Sequence, residues 1–178
     1  MPLTSPLPTT TAKWRLAIWS LAALVMLVPV IAQLTVTGMN WDAFDFGVFA
    51  AMLLAGCAGF EVVLRLGAAN AAYRVAACLA IGGAFLMVMA NLAVGIIGNE
   101  GNPVNLLFFA LLAMGAFGAL AVRFEAAGMA RVMTMLAAAQ ALLGLGLAVT
   151  GIGFTPVFTL FYVLLWLGAG KLFRQSAA

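Results

Sequence analysis

NLAVGIIGNEGNPVN, residues Asn91–Asn105, gathers four asparagines and a glutamate into a chain that is otherwise almost wholly apolar. Two readings compete for it: a ligand site, or a reversal between two membrane-spanning helices. Asn is among the best N-capping residues and Pro is favoured at the first helical position, so Asn102-Pro103 reads as a helix start. Gly98 and Gly101 supply the backbone freedom that a tight reversal needs. On either side the sequence turns apolar at once, over residues 73–98 before the reversal and 103–124 after it. Capping and turn chemistry thus explain most of the stretch. Asn91, Glu100, Asn105 and Asn99 are left over as polar groups that need partners.

Working outward, the same pattern repeats along the 178 residues. Further apolar blocks run over residues 14–35, 43–66, 130–150 and 156–172, joined by short connections. Each block is long enough to cross a hydrocarbon core about 30 Å thick at about 1.5 Å per helical residue. The composition agrees: 66% of the residues are hydrophobic and only 7% charged, against roughly a quarter charged in a soluble domain. The mean hydropathy is +1.20. The predicted fold is an all-α bundle of six transmembrane helices, in which helices two–three and four–five echo each other as a repeated hairpin. NLAVGIIGNEGNP in the third block and GLAVTGIGFTP in the fifth carry that echo. Residues 1–12 are expected to be a disordered tail, because MPLTSPLPTT is Pro- and Thr-rich and carries no charged side chain. Residues 13–175 then form a single transmembrane domain. The first apolar run is longer than a signal-peptide core and lacks a small-x-small cleavage site, which makes it an uncleaved helix.

Charge placement fixes the expected orientation. With the N-terminus in the cytoplasm, Lys13, Arg15, Arg65, Arg74, Arg123, Arg131, Lys171 and Arg174 all fall on one side, while Asp42, Asp45 and Glu100 fall on the other. The positive-inside rule then places both termini in the cytoplasm. The basic pI reflects this topology and contact with anionic lipid headgroups, not nucleic acid.

Three intramembrane polar groups call for weighing. Glu61 lies about one turn from the basic end of the second helix, where an unpaired charge facing lipid is costly. Arg65, four residues on, has the spacing and order of a helical Glu-to-Arg pair, and Tyr73 and Arg74 stand ready across a short connection. The group is either a structural clamp at headgroup level or a proton or cation relay. Gln33 and Gln140 are amides that hydrogen-bond between helices, or in the alternative line a pore. Asn91 shares a stripe with Gly83, Met87 and Gly95 at steps of four and is expected to face another helix. Ala51, Ala55 and Gly59 form a similar stripe on the second helix, as Gln140, Gly144 and Ala148 do on the fifth. Asn40, Asp42, Asp45, Asn91, Asn99, Glu100, Asn102 and Asn105 offer oxygen and amide groups suited only to a hard cation such as Ca²⁺ or Na⁺, without EF-hand spacing.

The chain has no histidine, which removes histidine-ligated haem, imidazole bases and most catalytic zinc sites. No phosphate-binding glycine loop is present. Cys57 and Cys78 have no metal or redox spacing. The expectation is a non-enzymatic membrane protein without cofactor or metal. Its predicted partners are membrane lipids together with further copies of itself or a second membrane protein, and it acts as an accessory or assembly subunit through helix contacts. The alternative is a small ion channel or transporter that uses Glu61, Asn91 and Gln140.

Residues 91–124, NLAVGIIGNEGNPVNLLFFALLAMGAFGALAVRF, taken with FEVVLRL (60–66), YRVA (73–76) and MARVMTMLAAAQAL (129–142), resemble a family of small bacterial integral membrane proteins. That resemblance implies a bacterial inner-membrane setting. It implies no activity and no role for any residue.

Overall fold

The computed structural model describes residues 9–37, 40–65 and 70–178. Of the expected N-terminal tail, residues 1–8 lie outside the described residues. The described chain is all-α. Its helices are α1 (Thr9–Thr35), α2 (Ala43–Arg65), α3 (Ala71–Ala93), α4 (Leu106–Ala121), α5 (Ala126–Val149) and α6 (Pro156–Ala177), and a 3-10 turn over Pro103–Asn105 leads into α4. All six, α4 together with the 3-10 turn that opens it, are long and apolar enough to cross a membrane. In lipid every backbone N–H and C=O must be satisfied within the protein, and a helix does this inside a single segment.

Several boundaries differ from the sequence reading, among them both ends of α4, expected over 103–124 and found at Leu106–Ala121. Helix α3 stops at Ala93, five residues short of Gly98, because Gly95 and Gly98 both take φ of +72° and break the helical path. Asn91 therefore lies in the last turn of α3, not two turns inside it. Helices α1 and α5 start earlier than expected and α6 runs further, to Ala177.

Contacts divide the chain into two compact units, Met1–Leu66 and Gly67–Ala178. In the first, α1 and α2 run antiparallel. The Trp14 and Phe60 rings meet at 6.0 Å near one end, and the Gln33 side chain reaches the Trp41 backbone near the other. The start of α2 is a reciprocal cap. Asp42 Oδ1 accepts from the Phe44 and Asp45 N–H groups at 2.7 and 3.0 Å, and Asp45 Oδ2 accepts from the Asp42 N–H at 3.0 Å, an arrangement that also suits the positive end of the helix dipole. Ala51 and Ala55 are exposed and Gly59 only part-covered, so that stripe does not form the packed face of this unit.

In the second unit α6 packs against both α3 and α5, and α5 also carries α4. Small residues set the approach. A methyl added at Gly83 of α3 would stand 2.7 Å from Leu165 Cδ2 and 3.2 Å from the Trp166 ring, and one at Gly115 of α4 would stand 2.8 Å from Leu136 Cδ1. The Gly83–Met87–Asn91 stripe is buried, and at Gly83 it meets α6, as its spacing predicted. The core here is formed by Trp166, Phe108, Phe173, Met87 and Gln140, each under 2% exposed.

The basic end of this unit is pinned by Tyr73. Its ring lies edge-on to Phe173 at 4.9 Å, and its hydroxyl donates to the Phe124 carbonyl in the α4–α5 turn. That turn holds Arg123 and Phe124 at φ of 52° and 59°, an unusual conformation for residues with a β-carbon. At the opposite end Ile97 fills the space beside Gly153, where a methyl would come within 2.6 Å of Ile97 Cδ1. The two echoing segments thus touch each other. The hairpin repeat itself stays an expectation, since α2 and α3 belong to different units.

Candidate functional site

Polar residues singled out by the sequence settle into three places. The first is the basic end of the α1–α2 hairpin. Glu61 Oε2 stands 3.0 Å from Arg15 Nε and Oε1 stands 3.4 Å from Arg65 Nε, with the Glu61 side chain only 16% exposed. Each carboxylate oxygen has its own guanidinium. Arg65 occupies the helical i+4 position, while Arg15 reaches over from α1 and ties the two helices together. The sequence reading left Arg15 out of this group, although antiparallel pairing of the first two spans brings it to the level of Glu61. Tyr73 and Arg74 lie in the other unit, where both are buried at the start of α3.

The second place is the loop from Val94 to Asn105. Asn105 is 3% exposed and its amide organises the loop: Oδ1 accepts from the Ile97 N–H at 2.8 Å, and Nδ2 donates to the Ile97 and Asn99 carbonyls at 3.3 and 2.8 Å. Asn102 caps the 3-10 turn by accepting from the Val104 N–H at 3.0 Å, and Asn99 Oδ1 accepts from the Gly101 N–H at 3.0 Å. Glu100 is exposed at the tip of this loop. Of the oxygens proposed for a hard cation, those of Asn99, Asn102 and Asn105 are therefore aimed at backbone N–H groups, and Asp42 and Asp45 perform the same task in the other unit. Among the described residues no three Cys, Asp or Glu side chains form a metal-holding group. Thr155, at the N-cap position before Pro156 of α6, makes no side-chain cap bond.

The third place is the interior of α3, α5 and α6. Asn91 is 2% exposed, and its Nδ2 donates to the Met87 carbonyl one turn back at 3.0 Å. Gln140 is fully buried. Asn91 Oδ1, Gln140 Oε1, Gln140 Nε2 and Trp166 Nε1 are buried without a hydrogen-bond partner among the described residues. Nearby, the Tyr162 hydroxyl donates to the Gly83 carbonyl at 3.2 Å. The sequence reading gave Trp166 and Tyr162 no part. Their only signal was spacing, four residues apart on one face of an aromatic-rich last helix.

Cys57 and Cys78 are free thiols on helices of different units. No protein-family model matches the chain, and no curated protein or solved structure is significantly similar to it. Its functional reading rests on the fold and on these three places.

Proposed function

We propose that this integral membrane protein is a non-enzymatic accessory or assembly component that acts through its helix faces. One observation carries the reading: Glu61, well inside α2, is held by two guanidiniums of its own unit. A charge so matched clamps a hairpin. Uncovered helix surface supports the same view, because only 6% of the most apolar stretch of α1 is buried, against 22–33% in the other helices. Leu16, Leu24, Val28 and Leu34 are each more than 60% exposed, a face available to lipid and to a neighbouring helix. The proposal has both termini in the cytoplasm of a bacterial inner membrane, a reading that the distribution of the basic residues supports, with lipids and a further membrane polypeptide as partners.

A second reading, an ion channel or small transporter, draws on the unpartnered amide of Gln140 and on Asn91 Oδ1 in the buried core. Conduction needs a continuous polar path. Purified protein in liposomes separates the two. The proposed role predicts ion flux no higher than in empty vesicles, and the same result for Glu61→Gln and Gln140→Leu. Flux that rises with protein and falls in those variants makes the protein a channel.

A further inference from the structure

Three of the four unpartnered buried polar atoms belong to Gln140 of α5 and Trp166 of α6, which the register of these two helices sets at neighbouring levels. The register between α5 and α6 shows this. A methyl on Gly170 would sit 3.3 Å from Met133 Cβ and 3.4 Å from the Ala130 carbonyl oxygen, and Gly144 abuts Thr159. Between those two contacts Gln140 falls opposite Val163, about one turn from Trp166. Side chains on a helix lean toward their own N-terminus. Because α5 and α6 run in opposite directions, Gln140 leans toward the level of Trp166 while Trp166 leans back toward that of Gln140. Both are interior, at 0% and 1% exposure.

The chemistry of the layer is specific. It presents an amide carbonyl that accepts, and an amide NH₂ and an indole N–H that donate. No Asp, Glu, Lys or Arg occurs anywhere between Arg131 and Lys171, so nothing on α5 or α6 at this depth balances a charge. A polar group left unpaired in an apolar interior is strongly disfavoured, and buried sites with several unmet groups are where structural water is found. A guest suited to this layer is small and neutral, accepts two hydrogen bonds and donates at least one. A water molecule or an alcohol hydroxyl meets that description.

We propose that Gln140 and Trp166 form a binding site at mid-membrane depth for a small neutral hydroxylic guest, water first of all, which accepts from Trp166 Nε1 and Gln140 Nε2 and donates to Gln140 Oε1. The site goes beyond the accessory role and does not depend on it. Asn91 is separate. The Tyr73–Phe173 and Gly83–Trp166 contacts set α3 against α6 so that Asn91 faces the first turns of α6, about two turns away from the layer.

The test uses the full chain in lipid nanodiscs with ¹⁵N-labelled tryptophan indoles, the Trp166 signal being assigned by its loss in Trp166→Phe. The expected result is a hydrogen-bonded Trp166 N–H with a cross-peak to water that disappears in Gln140→Met, a replacement of similar shape without the amide. If the cross-peak survives in Gln140→Met, Gln140 is no part of the site and the proposal fails. A Trp166 N–H with no water cross-peak in the parent protein overturns it too, whether the proton is free or bonded directly to Gln140. Once Trp166 is assigned, that parent spectrum is decisive even where Gln140→Met does not fold.

Discussion

Asn105→Leu is expected to collapse the connection between α3 and α4. Leucine is close to asparagine in size but returns none of the three hydrogen bonds that the amide makes to Ile97 and Asn99. The Ile97 N–H and C=O then lie unpaired beside a side chain that is itself 4% exposed. At about 1–3 kcal/mol for each of these two unsatisfied buried groups, the loss is about 2–6 kcal/mol, since the exposed Asn99 can turn its carbonyl to water. Unfolding in mixed detergent measures it. The variant is expected to unfold at clearly lower denaturant, with proteolysis beginning in residues 94–105. Parent-like stability would mean that the loop is held by something other than this amide.

Gly95→Ala is the second large effect, and it has a built-in control. Gly95 takes φ of +72°, and a β-carbon there runs into the backbone of Asn99 and stands 2.6 Å from the Glu100 N–H nitrogen. Left-handed backbone costs an ordinary residue about 1–2 kcal/mol. The collision adds to that, because its partner is backbone and cannot swing aside. Gly151 takes nearly the same φ, +70°, with nothing within 4 Å of an added β-carbon. Gly151→Ala therefore pays only the conformational term, and Gly95→Ala is expected to lose at least twice as much stability in the same unfolding experiment. Equal losses would show that the collision relaxes and that backbone conformation alone governs both sites.

Both effects sit in the one stretch that the sequence marked as polar, and they show what could be read from it. The six spans were legible because bilayer thickness imposes a length and an apolar content that no soluble segment of this chain matches. The cap at Asn102-Pro103 was legible because capping is local. Asn105 was visible as a polar residue needing a partner, but its partners lie six and eight residues back, around a loop whose path depends on two glycines at positive φ. Glu61–Arg65 could be read from i,i+4 spacing, whereas Arg15 belongs to another helix and comes to Glu61 only through the pairing of α1 with α2. Trp166 left only its spacing from Tyr162 as a signal, since an aromatic residue in an apolar helix looks alike whether its N–H is satisfied or not. The end of α3 was misplaced because the apolar run continues for five residues after the hydrogen-bond ladder stops.

The role assigned to the protein stands or falls on what accompanies it in the membrane. Native mass spectrometry of the protein released in its own lipids, without detergent exchange, is the direct measurement. The expected spectrum contains a reproducible mass made of this chain, bound lipid and a second membrane polypeptide in fixed ratio. A spectrum of the chain alone, as monomer or as a closed homo-oligomer, would contradict the accessory role and turn attention to Gln140 and Asn91 as parts of a conduction path.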